Sequence, residues 1–400
     1  MIKITYLPLF ITLLFRGMPG MWKSRHRLIL CCLVVMQALF PGRKTLAELA
    51  RWTPAEVTAW RFRRLLNAAS WDVHVVVEWW GQEALNTLPP PQDGILYVVG
   101  DGSEKPKRGK KNPMAQKGRK GTNKPWFFAV RFALLIVNWD NYRLPVAFRP
   151  IRPKSHPDYR KENDLFCDMV KGFAPPVWAH TIVVEGDAGD GSQDNMKMVM
   201  NRDETDAQRR WGFVFAIPRT WKTVEDKAIK DLVTPLPKTY YKRTWLPGLA
   251  GSKRRKSFWI YSNRLCLRHV GDVTVVLSKK GRNVSPKNTT IRVTNLPEWT
   301  PRQVVNCDQR RWPVEQINRE LTSDLGMGEH QVSGQEDRIE KSFGIAVMAY
   351  LFLIRACHQE MVPGQSWSIP QLQHAFRLRV ITNQVEHNVK TELGKTRKAA

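Results

Sequence analysis

The sequence is short of acid and of paired cysteine. Its 400 residues carry 36 acidic side chains against 63 basic ones, a formal charge of +27. An imbalance of that size argues for a polyanionic partner and leaves the fold open. The six cysteines, at 31, 32, 167, 266, 307 and 357, form no CxxC pair and no Cys/His ligand spacing, which argues against a structural zinc. They read as reduced, buried residues of a cytosolic protein, since a chain of this size needs no disulfide to fold. Long apolar runs are missing as well. Residues 4–15 and 28–40 are apolar, but each falls short of the ~20 residues a bilayer span needs. Arg16 stops the first, the Pro41-Gly42-Arg43-Lys44 turn stops the second, and no small-residue cleavage site follows. Both are expected to be buried parts of an N-terminal helical domain, with no membrane partner and a cytoplasmic location.

What is present includes 16 Trp, apolar content enough for two or three domains, and one stretch around which the rest can be arranged. Ile95-Leu-Tyr-Val-Val99 reads as a central strand covered on both faces. It runs into Gly100-Asp101-Gly102, where the glycines leave room for a ligand or a backbone to approach the acid. Alone, Asp101 is either a turn residue or a metal ligand. A second stretch is built the same way: Thr181-Ile-Val-Val-Glu185 leads through Gly186 to Asp187. Side by side, two such strands bring Asp101 and Asp187 together at a sheet edge, where a cation or a shared proton would have to separate them. A third acid, Glu315, lies on a helix signalled by Thr300-Pro301 with Gln303, interrupted at Pro313 and stopped by Gly326. Val314, Ile317, Leu321 and Leu325 form its buried stripe. Glu315 and Arg319 border that stripe, whereas Glu320, about 140° further round, is expected nearer solvent. The alternative for Glu315 is a surface ion pair with Arg311 or Arg319.

In chain order, Thr45 with Glu48 and Thr53-Pro54 with Glu56 read as two helix starts at helix-turn-helix spacing. The second helix turns Trp60, Arg61 and Arg64 outward, either into a DNA groove or into solvent. Asn86 to Asp93 reads as a linker. After Asp101, residues 104–124 read as a flexible basic stretch carrying Lys105, Lys107, Arg108, Lys110, Lys111, Lys117, Arg119, Lys120 and Lys124, which either grips phosphates without regard to sequence or is merely solvated. Trp126–Trp139 and Tyr142–Pro150 read as a hairpin turning at Asp140-Asn141. Helices are expected at Lys161–Gly172 and from Ser192, with a strand at Trp211–Ile217. Strand-like runs follow at Ser257–Tyr261, Asp272–Ser278 and Thr289–Thr294. Phe343–Ile354 reads as a buried helix, Gln371–Val380 as another, and Lys390–Lys398 as a frayed basic tail.

Strand with Asp, two strands, helix, strand with Asp, helix and strand is the RNase H-like layout. The chain resembles DDE transposases of bacterial insertion sequences, in the branch with a β-rich insertion before the last catalytic residue. Asp187 and Glu315 stand 128 positions apart, more than one helix and one strand require. Arg311-Trp312-Pro313-Val314-Glu315 and the following Leu325-Gly326 resemble the family's Arg-Trp-x-Ile-Glu helix and its Leu-Gly ending. Asp308 and Thr322 stand where a Tyr and a Lys recur in the family.

The resemblance implies an α/β protein, an RNase H-like mixed sheet flanked by helices. Its domains would be an N-terminal helical DNA-binding domain (1–88), a catalytic domain in two parts (89–218 and 300–360), a β-rich insertion (219–299) and a C-terminal helical region with a basic tail (361–400). Asp101, Asp187 and Glu315 would be catalytic and hold two Mg2+ ions, with Mn2+ as a substitute. Arg311 and Arg319 would touch DNA, and Trp245 and Trp259 are candidates to stack on a flipped base. The activity implied is cleavage and joining of double-stranded DNA at terminal inverted repeats by a homodimer. An RNase H-like nuclease without integration and a DNA-binding derivative that no longer cuts are the alternatives.

Overall fold

The computed structural model describes residues 9–19, 24–54, 56–107, 112–119, 126–187, 189, 191–247, 255–285, 288–311, 313–330, 332, 334–361 and 367–399. It is a mixed α/β fold in which a ten-stranded mixed sheet is flanked by helices. Helices precede the first strand: α1 (Leu9–Leu14), α2 (Ser24–Leu39), α3 (Leu46–Arg51), α4 (Ala59–Asn67) and α5 (Val73–Thr87). In α2 every residue from Ile29 to Leu39 is buried, so the apolar run is core. Among the described residues no helix is long and apolar enough to cross a membrane.

Thr45 caps α3 by accepting from Glu48 N–H, as its spacing suggests. The second cap is displaced. Thr58 starts α4, while Thr53 is buried, its hydroxyl donating at 2.8 Å to the carbonyls of Ala50 and Val57. A threonine spent on two carbonyls closes a turn instead of opening a helix. The helix still turns the expected faces: Phe62, Leu65 and Leu66 inward, Trp60 and Arg64 outward.

The sheet begins with β1 (Ile95–Lys107), β2 (Ala115–Arg119), β3 (Trp126–Trp139) and β4 (Tyr142–Ile151). β3 and β4 form the expected hairpin, with Trp139 opposite Tyr142 and Asp140 taking the left-handed conformation (φ 44°) at the turn. β1 does not end at Asp101. Its residues 101–107 stay in an antiparallel ladder with Leu134 through Phe128, and β2 pairs with β3 beyond them. Backbone pairing to a long β3 therefore overrides the loop-like composition of 104–107 and 115–119. Arg108, Lys110, Lys111, Lys120 and Lys124 lie outside the described residues.

Next come α6 (Glu162–Gly172), β5 (Thr181–Gly186), α7 (Gln193–Thr205, capped by Ser192) and β6 (Arg210–Ala216). β5 is parallel to both β1 and β6. After the short α8 (Ile229–Val233), four strands continue the same sheet past β6: β7 (Lys242–Leu246), β8 (Lys256–Leu267), β9 (Gly271–Lys279) and β10 (Thr290–Thr294). The order is β2-β3-β1-β5-β6-β10-β9-β8-β7, with β4 also on β3. Then follow α9 (Pro301–Arg311), α10 (Pro313–Arg319) with one π-helical turn at Glu320–Asp324, α11 (Glu336–Ala356) and α12 (Ile369–Ala399). Thr300 and Gln303 cap α9 reciprocally, at 2.9 and 3.3 Å. α12 extends through Lys390–Ala399, where the sequence suggests a frayed tail.

One apolar cluster joins α2, α4, α5, α11 and α12 to the sheet. A smaller one, with Tyr97, Val183, Val214, Trp299, Val304 and Val305, lies under α9. All six cysteines are free thiols, four of them buried.

Lys44 is buried where the α2–α3 connection meets the exit of the π turn. Its amide donates to Glu329 at 3.0 Å and its ammonium to the carbonyl of Phe40. Burial lowers the ammonium from an ordinary 10.5 to about 8, with Glu329 pulling it back up. A lysine whose folded pKa is depressed holds fewer protons folded than unfolded between those values, so stability rises with pH there and the penalty is complete below pH 8. The expected gain is on the order of 3 kcal/mol from pH 7 to 10.5 for this group. Urea unfolding of wild type and Lys44→Met across that interval checks it: the difference between the two should shrink as pH rises, and a constant difference would contradict the assignment.

Candidate active site

Alternation along β1 decides what each side chain around Asp101 meets. Even-numbered Gly100 and Gly102 face α6: a Cβ on Gly100 would run into the Phe166 ring, and one on Gly102 into the Glu162 carboxylate. The glycines thus make room for a packed helix, not for a ligand. Odd-numbered Tyr97 and Asp101 face the other way, toward α9 and α10. β5 follows the same rule in parallel register, with Tyr97 beside Val183 and Val99 beside Glu185. That ladder ends there: Asp101 continues β1 against β3, while Asp187 follows the last residue of β5. Asp101 is half-buried in the ladder, whereas Asp187 is exposed just past β5 and accepts at 2.6 Å from Gly189 N–H.

Sequence reasoning missed Glu162. It starts α6, pairs with Arg131 at 3.5 Å and is close enough to Asp187 to feel its charge. Burial raises its pKa, Arg131 lowers it and Asp187 raises it again. A Glu in the first turn of a helix is ordinary sequence, so only the packing of α6 beneath Gly102 could reveal it.

α10 lies against β1. Val314, Ile317, Leu321 and Leu325 are buried, as their spacing requires, and Glu315 and Arg319 are exposed beside them. Glu320 is not near solvent. It is 1% exposed and accepts from Arg143 at 3.0 and 3.3 Å, from Gln316 at 2.9 Å and from the Tyr350 hydroxyl at 3.3 Å. Burial pushes the Tyr350 phenol well up, so it stays a donor. Arg143 lies 3.7 Å from the Trp367 ring centre and donates to the Trp367 carbonyl at 3.2 Å. Glu315 and Glu320 flank the apolar stripe on opposite sides by about the same rotation, and it is the Glu320 flank that Arg143 and Tyr350 cover.

Two polar ties run from this helix to β1. Asn318, three residues after Glu315 and so on its side of the helix, donates to Asp101 Oδ2 at 2.6 Å. Lys105 donates to the Thr322 carbonyl at 3.0 Å, and burial lowers its pKa. Lys105 is therefore a strand residue anchored to the helix, not part of a solvated loop. Of the other basic candidates, Lys117 and Arg319 are exposed, and Arg61 donates to the Glu56 carbonyl. Lys107, Arg119 and Arg311 fall on β1, β2 and α9, but the placement of their side chains is outside the described part of the structure.

Aromatic rings accompany several cations on the surface. Arg64 lies over Trp60 at 5.3 Å, Lys117 over Trp126 at 4.9 Å and Arg243 over Trp245 at 4.6 Å. These three Trp are 59, 58 and 47% exposed. Large, open rings beside fixed positive charge offer stacking and phosphate contact together. Trp259 is more covered, with Arg282 at 5.6 Å.

Among the described residues, no three His, Cys, Asp or Glu are grouped closely enough to hold a metal ion by themselves. The donor chemistry around Asp101 still suits one. Hard carboxylate oxygens favour Mg2+, and beside Asp101 the amide Oδ1 of Asn318 is buried with no hydrogen-bond partner among the described residues. Of the three acids, Asp101 is in contact with α10, through Asn318, whereas Asp187 and Glu315 are exposed and, among the described residues, form no group of three with it. Compared with known proteins, the chain matches no family model and no curated protein.

Proposed function

We propose that the chain is a metal-dependent DNA transposase that cleaves element ends and joins them to target DNA, with Asp101, Asp187 and Glu315 as its catalytic carboxylates. The observation that carries this reading is the parallel ladder of β1 and β5, beyond whose last pair, Val99 with Glu185, each strand leads within two residues to an Asp, together with the tie from the Glu315 helix to Asp101 through Asn318. The strand order β4-β3-β1-β5-β6, antiparallel for the first three and parallel for the last three, supports an RNase H-like centre. On the same reading β7–β10 are the inserted strands. Held by these oxygens, Mg2+ would supply Lewis acidity for displacement at phosphorus. The protein's share is to hold the three acids on rigid elements and to grip the polyanion with a strongly basic surface.

The direct test is incubation of the protein with Mg2+ and duplex DNA ending in the element's own flanking sequence, followed by scoring of nicks and of joined product. Nicking with joining to a target plasmid is the expected result. Nicking without joining would make it a nuclease, and binding without nicking a DNA-binding derivative.

Salt dependence tests the DNA grip separately. Neutralising Lys107, Arg108, Lys110 and Lys111 together should reduce the log-log slope of affinity against salt by up to roughly 3.6, about 0.9 for each phosphate that is no longer neutralised. Neutralising Lys105 should change it less, since that ammonium is already anchored to Thr322. An unchanged slope in the fourfold variant would mean that the segment between β1 and β2 does not touch DNA.

A further inference from the structure

Asn318, on the helix that carries Glu315, contacts Asp101 directly. Its amide donates to Asp101 Oδ2 at 2.6 Å, a short bond strengthened by the carboxylate's charge. Its own Oδ1 is buried and finds no partner among the described residues. Leaving a buried acceptor unmade is unfavourable, so helix packing does not account for an amide here. The contact that remains is the one to Asp101.

The surroundings hold this amide in place. Two residues on, Glu320 is locked in the core by Arg143, Gln316 and Tyr350. Four residues on, the Thr322 hydroxyl donates back to the Asn318 carbonyl at 2.7 Å, while Lys105 ties the Thr322 carbonyl to β1. The helix is thus fixed on both sides of its contact with the strand. Asp101 is fixed by its ladder to β3.

We propose that Asn318 is a positioning residue of the metal site: its hydrogen bond to Oδ2 fixes the rotamer in which Asp101 would present its carboxylate to a divalent cation. This rests on the metal-dependent reading above. A carboxylate kept in one rotamer by an outer hydrogen bond binds a cation without first losing rotational freedom, and removal of such a partner typically costs 10–100-fold in metal affinity.

The test counts bound Mn2+ directly, by the loss of the free-ion electron paramagnetic resonance signal, in the full chain without DNA. Wild type, Asp101→Ala, Asn318→Ala and Asn318→Leu are compared; Leu keeps the side-chain volume, and urea unfolding confirms that each protein is folded. Binding should be lost in Asp101→Ala and weakened roughly 10–100-fold in both Asn318 variants. A structural tie alone would lower the urea midpoint and leave Mn2+ affinity as in wild type, which would overturn the inference. If Asp101→Ala itself bound Mn2+ like wild type, the metal site, and with it this role, would be wrong.

Discussion

Strand cleavage is expected to disappear when Glu315 is replaced by Gln, or Asp101 or Asp187 by Ala, while the folded protein survives. The loss should exceed roughly 100-fold, more than an outer hydrogen-bond partner of a metal ligand is worth. Glu315 and Asp187 are exposed, and surface substitutions usually change stability by within about 0.5 kcal/mol. Glu315→Gln keeps the size and removes the charge that a second cation needs. Nicking of an end-sequence duplex at saturating Mg2+ is the measurement, with urea midpoints alongside. An active Glu315→Gln protein would remove the helix from the site and end the comparison with the Arg-Trp-x-Ile-Glu pattern; an active Asp101→Ala protein would end the proposed function.

Glu320 should behave in the opposite way. Glu320→Ala leaves the Arg143 guanidinium buried without its carboxylate, and breaking such a pair is expected to cost about 3–5 kcal/mol of stability. Glu320→Gln retains a hydrogen-bond acceptor but not the charge, so it should also destabilise, less severely. Removing both charges in Arg143→Met with Glu320→Met should recover most of the loss, since apolar replacement of a buried pair is often neutral or better. Urea unfolding of the two single variants and the double variant decides this. Equal, small effects in all three would mean that the pair adds little to the core. Cleavage by Glu320→Gln should follow the folded fraction, which separates a residue that holds the helix from one that does chemistry.

Composition and periodicity carried much of the architecture. The β3–β4 hairpin, the helices at Glu162–Gly172 and Gln193–Thr205, the strands at Thr181–Gly186 and Arg210–Ala216, and the buried stripe from Val314 to Leu325 all follow from local pattern. These signals are local because side chains alternate along a strand and recur every three to four residues along a helix. β7 was not legible: Lys242-Arg-Thr-Trp-Leu246 is an edge strand that, among the described residues, pairs with β8 alone, so polar and apolar residues both suit it. Residues 104–107 misled for a related reason, since their composition suits a loop and pairing with β3, 21 to 27 positions along the chain, makes them strand.

For the site, the sequence by itself determined the candidates: two acids at matched positions after apolar runs, and a third on a capped and interrupted helix. It also determined the charge that points to a polyanion. Tertiary structure alone decided which neighbours those acids have. That Asp101 meets Asn318, that Gly102 makes room for Glu162, and that Glu320 is buried against Arg143 depend on contacts across 217, 60 and 177 positions of chain. No local period encodes such a distance. The face a side chain turns can be read from spacing, but what stands opposite it is settled only when the sheet closes and the helices settle on it.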